Sequence, residues 1–200
     1  MQLIAHEAKA TLRKRARGVR ASVPKSAIER RSNEIVSRLL ALPVMAGARR
    51  VALFAAMTSK NEVNLHALDV ALRARGAVVA YPSIDAQTRV MSFRDPGDPA
   101  TMKPRGMMAP EPDPASPEIA ELDLVVVPAL LVDPRGYRLG YGGGFYDRTL
   151  LRYCPPARSI AVAFEFQIAL DLPRTAHDVA CDIVVSDAGI VKDVDGVSQL

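Results

Sequence analysis

A glycine-rich loop is the feature of this sequence with the clearest chemical meaning. Glycine fills four of the five positions from 140 to 144, and it lets a ligand approach the main chain closely. The apolar run 122–128 before this segment is typical of a buried strand, and 145–153 is typical of a helix. Because free amides and the positive end of a helix dipole would point to one place, the pattern predicts an anion site.

The residues around the loop extend this prediction to a phosphate and a metal ion. The glycine spacing matches neither a P-loop nor a dinucleotide fingerprint. Arg138 and Arg148 favour a phosphate, although a flexible strand-to-helix turn would also use these glycines. Asp147 would repel a phosphate unless a cation lay between them, and Mg²⁺ binds through one or two carboxylates plus substrate phosphates. Pairing of Asp147 with the helix dipole is the alternative.

Positive charge is concentrated near the N-terminus. Nine basic residues between positions 9 and 31 are opposed only by Glu29. Lys9 and Arg13 are four residues apart on a predicted helix over 2–21, so they share one face, which suits a polyphosphate. Simple surface charge would have the same spacing. The segment has no aromatic residues to stack on bases and no nucleic-acid-binding motif, so we expect no nucleic-acid partner.

Further candidate residues follow two predicted strands. Strands at 51–56 and 77–82 flank a helix at 65–75, which makes a β-α-β unit with a right-handed crossover. Such sheets bind ligands beyond the carboxyl ends of their strands. Met57 and Glu62 therefore lie on the same rim as the glycine loop. A glutamate alone in a loop is usually only solvated, so its role depends on this shared rim.

Other reactive residue types have a simpler explanation. His177 and Asp178 suggest acid–base chemistry, but no serine or cysteine can be paired with them from the sequence. A loop histidine beside a capping aspartate explains the pair equally well. Cys154 and Cys181 lack metal-ligand spacing, so we expect packing cysteines in a reducing, cytoplasmic setting.

The remaining elements complete an α/β pattern. Ser26 to Glu29 has the form of a capping box for a helix that ends by Pro43, and Asn64 is a candidate cap for the helix at 65–75. Seven prolines between 96 and 117 rule out regular structure there and predict an extended surface crossing. The polar tail 187–200 is predicted to be frayed. Further strands are predicted at 89–94, 159–164 and 182–186.

The bulk composition limits the class of protein. The 200 residues are 49% hydrophobic and 24% charged, which is ordinary for one globular domain spanning 1–200. No apolar run reaches the roughly 18–20 residues of a membrane span, and the N-terminus does not have the form of a secretory signal. We therefore expect no membrane partner.

Several separate segments together resemble one family. They are Lys9-Ala-Thr-Leu-Arg13, the Glu62 loop, Leu139-Gly-Tyr-Gly-Gly-Gly-Phe-Tyr-Asp-Arg148, Phe164-Glu-Phe-Gln167 and the stretch from Pro173 to Asp178. Between about residues 9 and 186 the chain resembles the 5-formyltetrahydrofolate cyclo-ligase family, also called the methenyltetrahydrofolate synthetases. The Gly-Gly-Gly-Phe-Tyr-Asp segment is the most specific part of this resemblance.

The resemblance implies a fold and a reaction. The fold would be a single three-layer α/β/α domain with a mostly parallel, Rossmann-like sheet. The reaction would use ATP and Mg²⁺ to convert 5-formyltetrahydrofolate to 5,10-methenyltetrahydrofolate, with release of ADP and phosphate. The expected partners are therefore 5-formyltetrahydrofolate and ATP, with Mg²⁺ as cofactor, and we expect a cytoplasmic monomer.

The resemblance also assigns roles to individual residues. Asp147 and Asp178 would hold Mg²⁺. The residues expected to contact the folate are Met57, Glu62, Tyr146 and Phe164. Catalytic roles would fall to Lys9, Arg138 and Tyr146. ATP would be bound by Lys9, Arg13, Arg138, Leu139, Gly140, Tyr141, Gly142, Gly143, Gly144, Phe145 and Tyr146.

Two positions depart from the family pattern. Tyr141 stands where some members have arginine, so a phosphate contact there would have to come from Arg138 or Arg148. The loop 58–61 is slightly long, and Asn64 stands where threonine is common.

Two other functions stay open at this point. A sugar-phosphate isomerase or a CoA-transferase relative would share the phosphate cradle without hydrolysing ATP. A non-catalytic module that binds RNA through residues 9–31 would show salt-sensitive RNA binding and no nucleotide binding.

Overall fold

The computed structural model describes residues 2–85, 87–105 and 109–193. Its helices are α1 (Gln2–Ser22), α2 (Lys25–Ala41), α3 (Pro43–Gly47), α4 (His66–Ala74) and α5 (Phe145–Tyr153). Short 3-10 helices lie at Thr58–Lys60, Pro99–Thr101 and Glu165–Gln167. Within the described part of the chain, no helix is long and apolar enough to cross a membrane.

Seven strands form the central sheet. In chain order they are β1 (Arg50–Ala52), β2 (Val78–Ile84), β3 (Met91–Arg94), β6 (Leu124–Pro128), β9 (Arg158–Val162), β10 (Ile183–Val185) and β11 (Ile190–Asp193). Their spatial order is β11-β10-β9-β6-β1-β2-β3. The five inner strands pair in parallel, and the edge strands β3 and β11 are antiparallel to their neighbours. The predicted β-α-β unit is thus formed by β1, α4 and β2.

Four short strands lie outside the central sheet. They are β4 (Lys103–Arg105), β5 (Ala109–Glu111), β7 (Leu131–Val132) and β8 (Arg138–Leu139). The first two pair with each other, as do the last two. The β7–β8 hairpin joins the central strand β6 to the glycine-rich loop and so carries that loop back to the sheet.

Both faces of the sheet are buried along its inner strands, which are therefore mostly apolar. In β6, Val126 packs in one core with the residues of α2 and α4, whereas Val125 and Val127 pack in a second core with Leu150 of α5. Successive strand residues point to opposite faces, so one apolar run supplies both cores. This arrangement confirms the three-layer α/β/α fold with a mostly parallel sheet.

The helix starts follow the sequence partly in one case and depart from it in another. The Asn64 side chain accepts a hydrogen bond of 3.0 Å from the N–H of His66, the first residue of α4, but Leu65 rather than Asn64 occupies the N-cap position. The capping box at Ser26 does not form. Helix α2 already begins at Lys25, directly after Pro24 at the N-cap position, and no side chain caps it. The fixed backbone angle of proline favours a helix start at this point, so Ser26 lies inside the first turn.

The proline-rich segment is more regular than predicted. Strands β4 and β5 form a hairpin in which Pro104 lies opposite Pro110. Neither proline has an N–H, so this pair can occupy only a non-hydrogen-bonded position of the antiparallel ladder. The inter-strand hydrogen bonds are therefore made by the neighbouring residue pairs. The prediction that these prolines exclude regular structure is wrong.

The prediction that the tail 187–200 is frayed is also partly wrong. Residues 190–193 form β11, which pairs with β10 at the edge of the sheet. A polar sequence suits an edge strand, because only one of its sides has a neighbour. Residues 194–200 lie outside the described part of the chain.

Candidate active site

A cleft that is partly open to solvent lies beyond the carboxyl ends of β1, β2 and β6. Its walls come from residues that follow these strands, from the glycine-rich loop and from β5. The predicted residues that line it are Met57, Glu62, Arg138, Gly140, Tyr141, Gly142, Gly143, Gly144, Phe145, Tyr146 and Asp147. The topology therefore brings the Glu62 loop and the glycine-rich loop, about 80 residues apart in the sequence, to one rim, as expected for a parallel sheet.

Two of the loop glycines have backbones that require glycine. Gly142 has φ +106° and Gly144 has φ +64°, values that other residues rarely adopt. Gly144 is also the residue directly before α5. The loop consequently ends at the N-terminus of a nine-residue helix, where backbone N–H groups lack partners within the helix. This is the local geometry of an anion site.

Helix α1 brings its basic residues to the same region. The Arg13 Nε donates a hydrogen bond of 2.9 Å to the carbonyl oxygen of Gly140. The Lys9 ammonium lies 2.5 Å from the Asp178 carboxylate, and Lys9 is only 7% exposed. Neither residue lines the cleft itself. Because Lys9 is buried and paired, simple surface charge does not explain it.

The two predicted metal ligands lie on adjacent segments. Asp147 Oδ1 accepts hydrogen bonds from Arg138 at 3.1 Å and from the N–H of Val179 at 3.3 Å. Val179 directly follows Asp178, so the segment that carries Asp178 contacts Asp147, although only Asp147 of the two lines the cleft. Burial tends to raise the pKa of Asp178, but the hydrogen bonds from Lys9 and Thr175 outweigh it, and the pKa lies below its ordinary value.

These two carboxylates suit Mg²⁺ only together with phosphate. Over residues 2–85, 87–105 and 109–193, no group of three or more His, Cys, Asp or Glu side chains could hold a metal ion alone. Magnesium commonly takes one or two carboxylates and completes its shell with water and phosphate oxygens. In the described structure Oδ2 of Asp147 accepts no hydrogen bond, so it is free to serve as such a ligand.

Glu62 and Tyr141 meet inside the cleft. Glu62 is 4% exposed. One of its oxygens accepts from the Met57 N–H and the other from the Tyr141 hydroxyl, both at 2.8 Å. The Tyr141 side chain thus faces the Glu62 loop, while Arg148 donates to the carbonyl oxygen of Gly143 at 3.1 Å. Arg148 thus bonds to the glycine loop, as Arg13 does at Gly140, and a phosphate contact from Arg138 or Arg148 stays a prediction.

Both tyrosines of the cleft remain protonated hydrogen-bond donors at neutral pH. Burial, and then the nearby Glu62 carboxylate, raise the pKa of Tyr141 above its ordinary value. The same two causes, in the same order, raise the pKa of Tyr146. The Arg138 guanidinium lies 5.9 Å from the centre of the Tyr146 ring, which ties Tyr146 to the corner that holds Asp147.

Three expectations about the site change with the structure. Phe164, predicted to wall the folate, is fully buried, stacks on Phe166 at 5.4 Å and does not line the cleft. Leu139 is buried in the β7–β8 hairpin and acts as a support. His177 is exposed, whereas Asp178 bonds to Lys9 and Thr175, so these neighbours do not form an acid–base pair.

The sequence did not reveal the wall formed by β5. Ala109, Pro110 and Glu111 line the cleft together with the glycine-rich loop. Glu111 is 5% exposed and accepts a 2.9 Å hydrogen bond from the N–H of Ile84. Burial raises its pKa above the ordinary value. No local signal predicts this wall, because it depends on the hairpin folding back against β2.

The fold and the cleft define an α/β protein that offers a glycine-rich helix N-terminus and a buried carboxylate to one ligand space. The family model of the 5-formyltetrahydrofolate cyclo-ligase family matches residues 5–187. The chain belongs to that family.

Individual relatives agree with this assignment. The 5-formyltetrahydrofolate cyclo-ligase of Saccharomyces cerevisiae is 26% identical over 92% of this chain and 97% of its own length. That of Mycolicibacterium smegmatis is 46% identical over 34% of this chain. The chain covers 35% of the M. smegmatis protein and 29% of a mitochondrial relative from Arabidopsis thaliana.

Solved structures show the same fold. The 5,10-methenyltetrahydrofolate synthetase of Aquifex aeolicus superposes with a TM-score of 0.81 and 27% identity, over 96% of this chain and 95% of that one. The corresponding protein of Mycoplasma pneumoniae has a TM-score of 0.72 and 23% identity, over 90% and 98% of the two chains. The latter likeness concerns the fold alone.

Proposed function

We propose that this protein is a 5-formyltetrahydrofolate cyclo-ligase. It converts 5-formyltetrahydrofolate and ATP, with Mg²⁺, into 5,10-methenyltetrahydrofolate, ADP and phosphate. The observation that carries the proposal is the shared cleft. A glycine-rich helix N-terminus suited to phosphate and a buried carboxylate suited to a pterin line the same space.

The chemistry needs one activation and one ring closure. The formyl oxygen attacks the γ-phosphorus of ATP, the bond to the bridging oxygen breaks, and ADP leaves. The N10 amine then attacks the formyl carbon and loses its proton, and the phosphorylated oxygen leaves as phosphate. Such a reaction relies on positioning and on charge stabilisation rather than on a protein nucleophile.

The phosphate half of the site uses α1 and the glycine-rich loop. Arg13 already donates to Gly140 through Nε, and among the described residues no hydrogen bond engages its terminal amino groups. Those groups would hold phosphate oxygens beside the N–H groups of the loop. Lys9, next to Asp178, would contribute a second cation close to the transferred phosphate.

Asp147 and Asp178 are the residues that would hold Mg²⁺. Bound there with phosphate oxygens, the ion would neutralise the charge of the transferring phosphoryl group. Arg138 anchors Asp147 by the 3.1 Å hydrogen bond and would keep this carboxylate oriented. Tyr146, held protonated by its surroundings, would wall the space between the two substrates.

The folate half of the site centres on Glu62. Its carboxylate would accept hydrogen bonds from the N–H groups at the pterin edge, and Met57 would lie against the ring. The apolar residues of the cleft near β5, such as Ala109 and Pro110, would cover the flat part of the folate.

The test is a spectrophotometric assay of the purified protein with 5-formyltetrahydrofolate, ATP and Mg²⁺. The near-ultraviolet band of the methenyl product should rise, and omission of either ATP or Mg²⁺ should abolish the increase. A folded protein that binds ATP yet forms no product would refute this function and leave the phosphate site intact.

The setting of the reaction is a further part of the proposal. Cys154 and Cys181 are both free thiols, which suits a reducing compartment such as the cytoplasm. A monomer would suffice, because every residue assigned above lies in one chain. Sedimentation of the active protein as a dimer whose dissociation abolishes turnover would contradict this.

A further inference from the structure

Arg20 is a buried cation at the end of α1 that the phosphate chemistry does not use. It is 3% exposed and lies seven residues, about two helical turns, beyond Arg13. Its guanidinium donates a hydrogen bond to the Tyr141 hydroxyl and lies 3.8 Å from the carboxylate of Glu62. Its charge therefore acts on the folate half of the proposed site.

The hydrogen-bond directions in this group follow from the chemistry of the side chains. A guanidinium has only donors, so the Tyr141 oxygen must accept from Arg20. The Tyr141 proton then has to go to Glu62, which it does at 2.8 Å. The other Glu62 oxygen accepts from the Met57 N–H. The carboxylate is thereby held at both oxygens and in one orientation.

A second contact fixes the end of α1 on the same loop. The Asn61 amide donates to the carbonyl oxygens of Arg20 and Val23, each at 3.0 Å. Asn61 has a left-handed backbone conformation with φ +52° and directly precedes Glu62. The position of Arg20 is thus locked to the segment that presents the carboxylate.

The hydrogen bonding of the buried Arg20 side chain is incomplete. The Arg20 Nε is buried and has no hydrogen-bond partner in the described part of the chain. A buried ion pair commonly contributes little to the free energy of folding because both charges lose hydration. An incompletely bonded buried cation is instead typical of a functional site.

We propose that Arg20 is a positioning residue for folate recognition. Through Tyr141 it holds the Glu62 carboxylate oriented as an acceptor for a ligand with two neighbouring N–H donors, such as the pterin edge. The inference rests on the proposed function, which supplies the ligand. It makes Arg20 and Tyr141 determinants of folate affinity and leaves phosphate binding to Lys9 and Arg13.

The test compares Arg20→Leu and Tyr141→Phe with Arg15→Leu, which removes an exposed arginine from the same helix. Calorimetry would give the Kd of 5-formyltetrahydrofolate alone and, separately, of a non-hydrolysable ATP analogue with Mg²⁺. Arg20→Leu removes the positive charge beside Glu62 and the hydrogen bond to Tyr141, and should raise the folate Kd about 10- to 100-fold. Tyr141→Phe removes the hydroxyl that bonds to Glu62 and Arg20 but keeps the positive charge, and should raise it roughly fivefold. The ATP-analogue Kd should stay within about twofold of wild type.

The outcomes separate this inference from the proposed function. Equal weakening of both ligands in Arg20→Leu would indicate a merely structural role of Arg20 and would overturn the inference, as would an unchanged folate Kd. If Arg20→Leu does not fold, Tyr141→Phe decides alone, since it keeps the ring and loses only the hydroxyl. Wild-type protein that neither binds nor converts the folate would overturn the proposed function and this inference with it.

Discussion

Replacing Lys9 by alanine gives the sharpest test of the phosphate site. Lys9 is 7% exposed, and its ammonium is 2.5 Å from Asp178. It is therefore already desolvated and oriented before any ligand binds. A charge-assisted hydrogen bond of this kind contributes about 1.5–3 kcal/mol. If Lys9 contacts the transferred phosphate, Lys9→Ala should lower kcat/KM for ATP by roughly 10- to 150-fold.

The fold should survive this change. Asp178 keeps two hydrogen bonds from Thr175, one from its N–H and one from its hydroxyl. We therefore expect the free energy of unfolding to fall by about 1–2 kcal/mol, which denaturant titration would measure. Lys14→Ala is the matched control, because Lys14 is an exposed lysine of the same helix.

The assay is the formation of the methenyl product at varied ATP with the folate saturating. Lys14→Ala should behave as wild type. A Lys9→Ala protein that is folded and keeps kcat/KM for ATP within about twofold of wild type would refute the reasoning, because the buried ammonium would then serve only to pair Asp178.

Three further predictions follow from single positions. Gly142→Ala should lower the free energy of unfolding by about 1–2 kcal/mol, because Gly142 has φ +106°; Gly140→Ala, where φ is ordinary and a new Cβ meets nothing within 4 Å, should change it far less in the same denaturant titration. Asp178 has a lowered pKa, so its contribution to stability is complete above its ordinary pKa and is lost as pH falls through the lowered pKa; Asp178→Asn should flatten the acid side of the stability–pH curve, and an unchanged curve would contradict this. Burial raises the pKa of Glu111, so ionisation of this carboxyl lowers stability as pH rises above its ordinary pKa, and the effect is complete above the raised pKa. Glu111→Gln should therefore raise the melting temperature at pH 7 relative to wild type and have no such effect in acid. A lower melting temperature of Glu111→Gln at pH 7 would show that the carboxylate is stabilising.

Local patterns in the sequence were sufficient for much of the fold. Helix α5 spans the predicted residues 145–153, because its limits depend on the glycine before it and on the prolines after it. Strands β6 and β10 lie within their predicted runs, and β2 and β9 overlap theirs with limits shifted by one or two residues, since strands buried on both faces are mostly apolar. Strand β1 also overlaps its predicted run 51–56 but ends at Ala52. The left-handed glycines and the helix N-terminus are local too, so the loop geometry typical of an anion site could be predicted without knowledge of packing.

Contacts between distant segments could be decided only by the tertiary structure. Lys9 and Asp178 are 169 residues apart, and the sequence allowed each of them a surface role. The wall formed by β5 depends on the pairing of β4 with β5, which the proline-rich sequence does not predict. Phe164 is a core residue because it packs against Phe166 and the end of β9.

Arg20 shows most clearly the difference between what the sequence predicts and what only the tertiary structure decides. In the sequence it is one of nine basic residues. Helical spacing places it, like Arg17, near the face of Arg13 and away from Arg15, but does not show that it is buried. Only the docking of α1 on the Glu62 loop removes it from water and places it beside a carboxylate. Residue types and spacing determine which groups a chain can offer, whereas burial and charge pairing arise from the packing of segments that are far apart in the sequence.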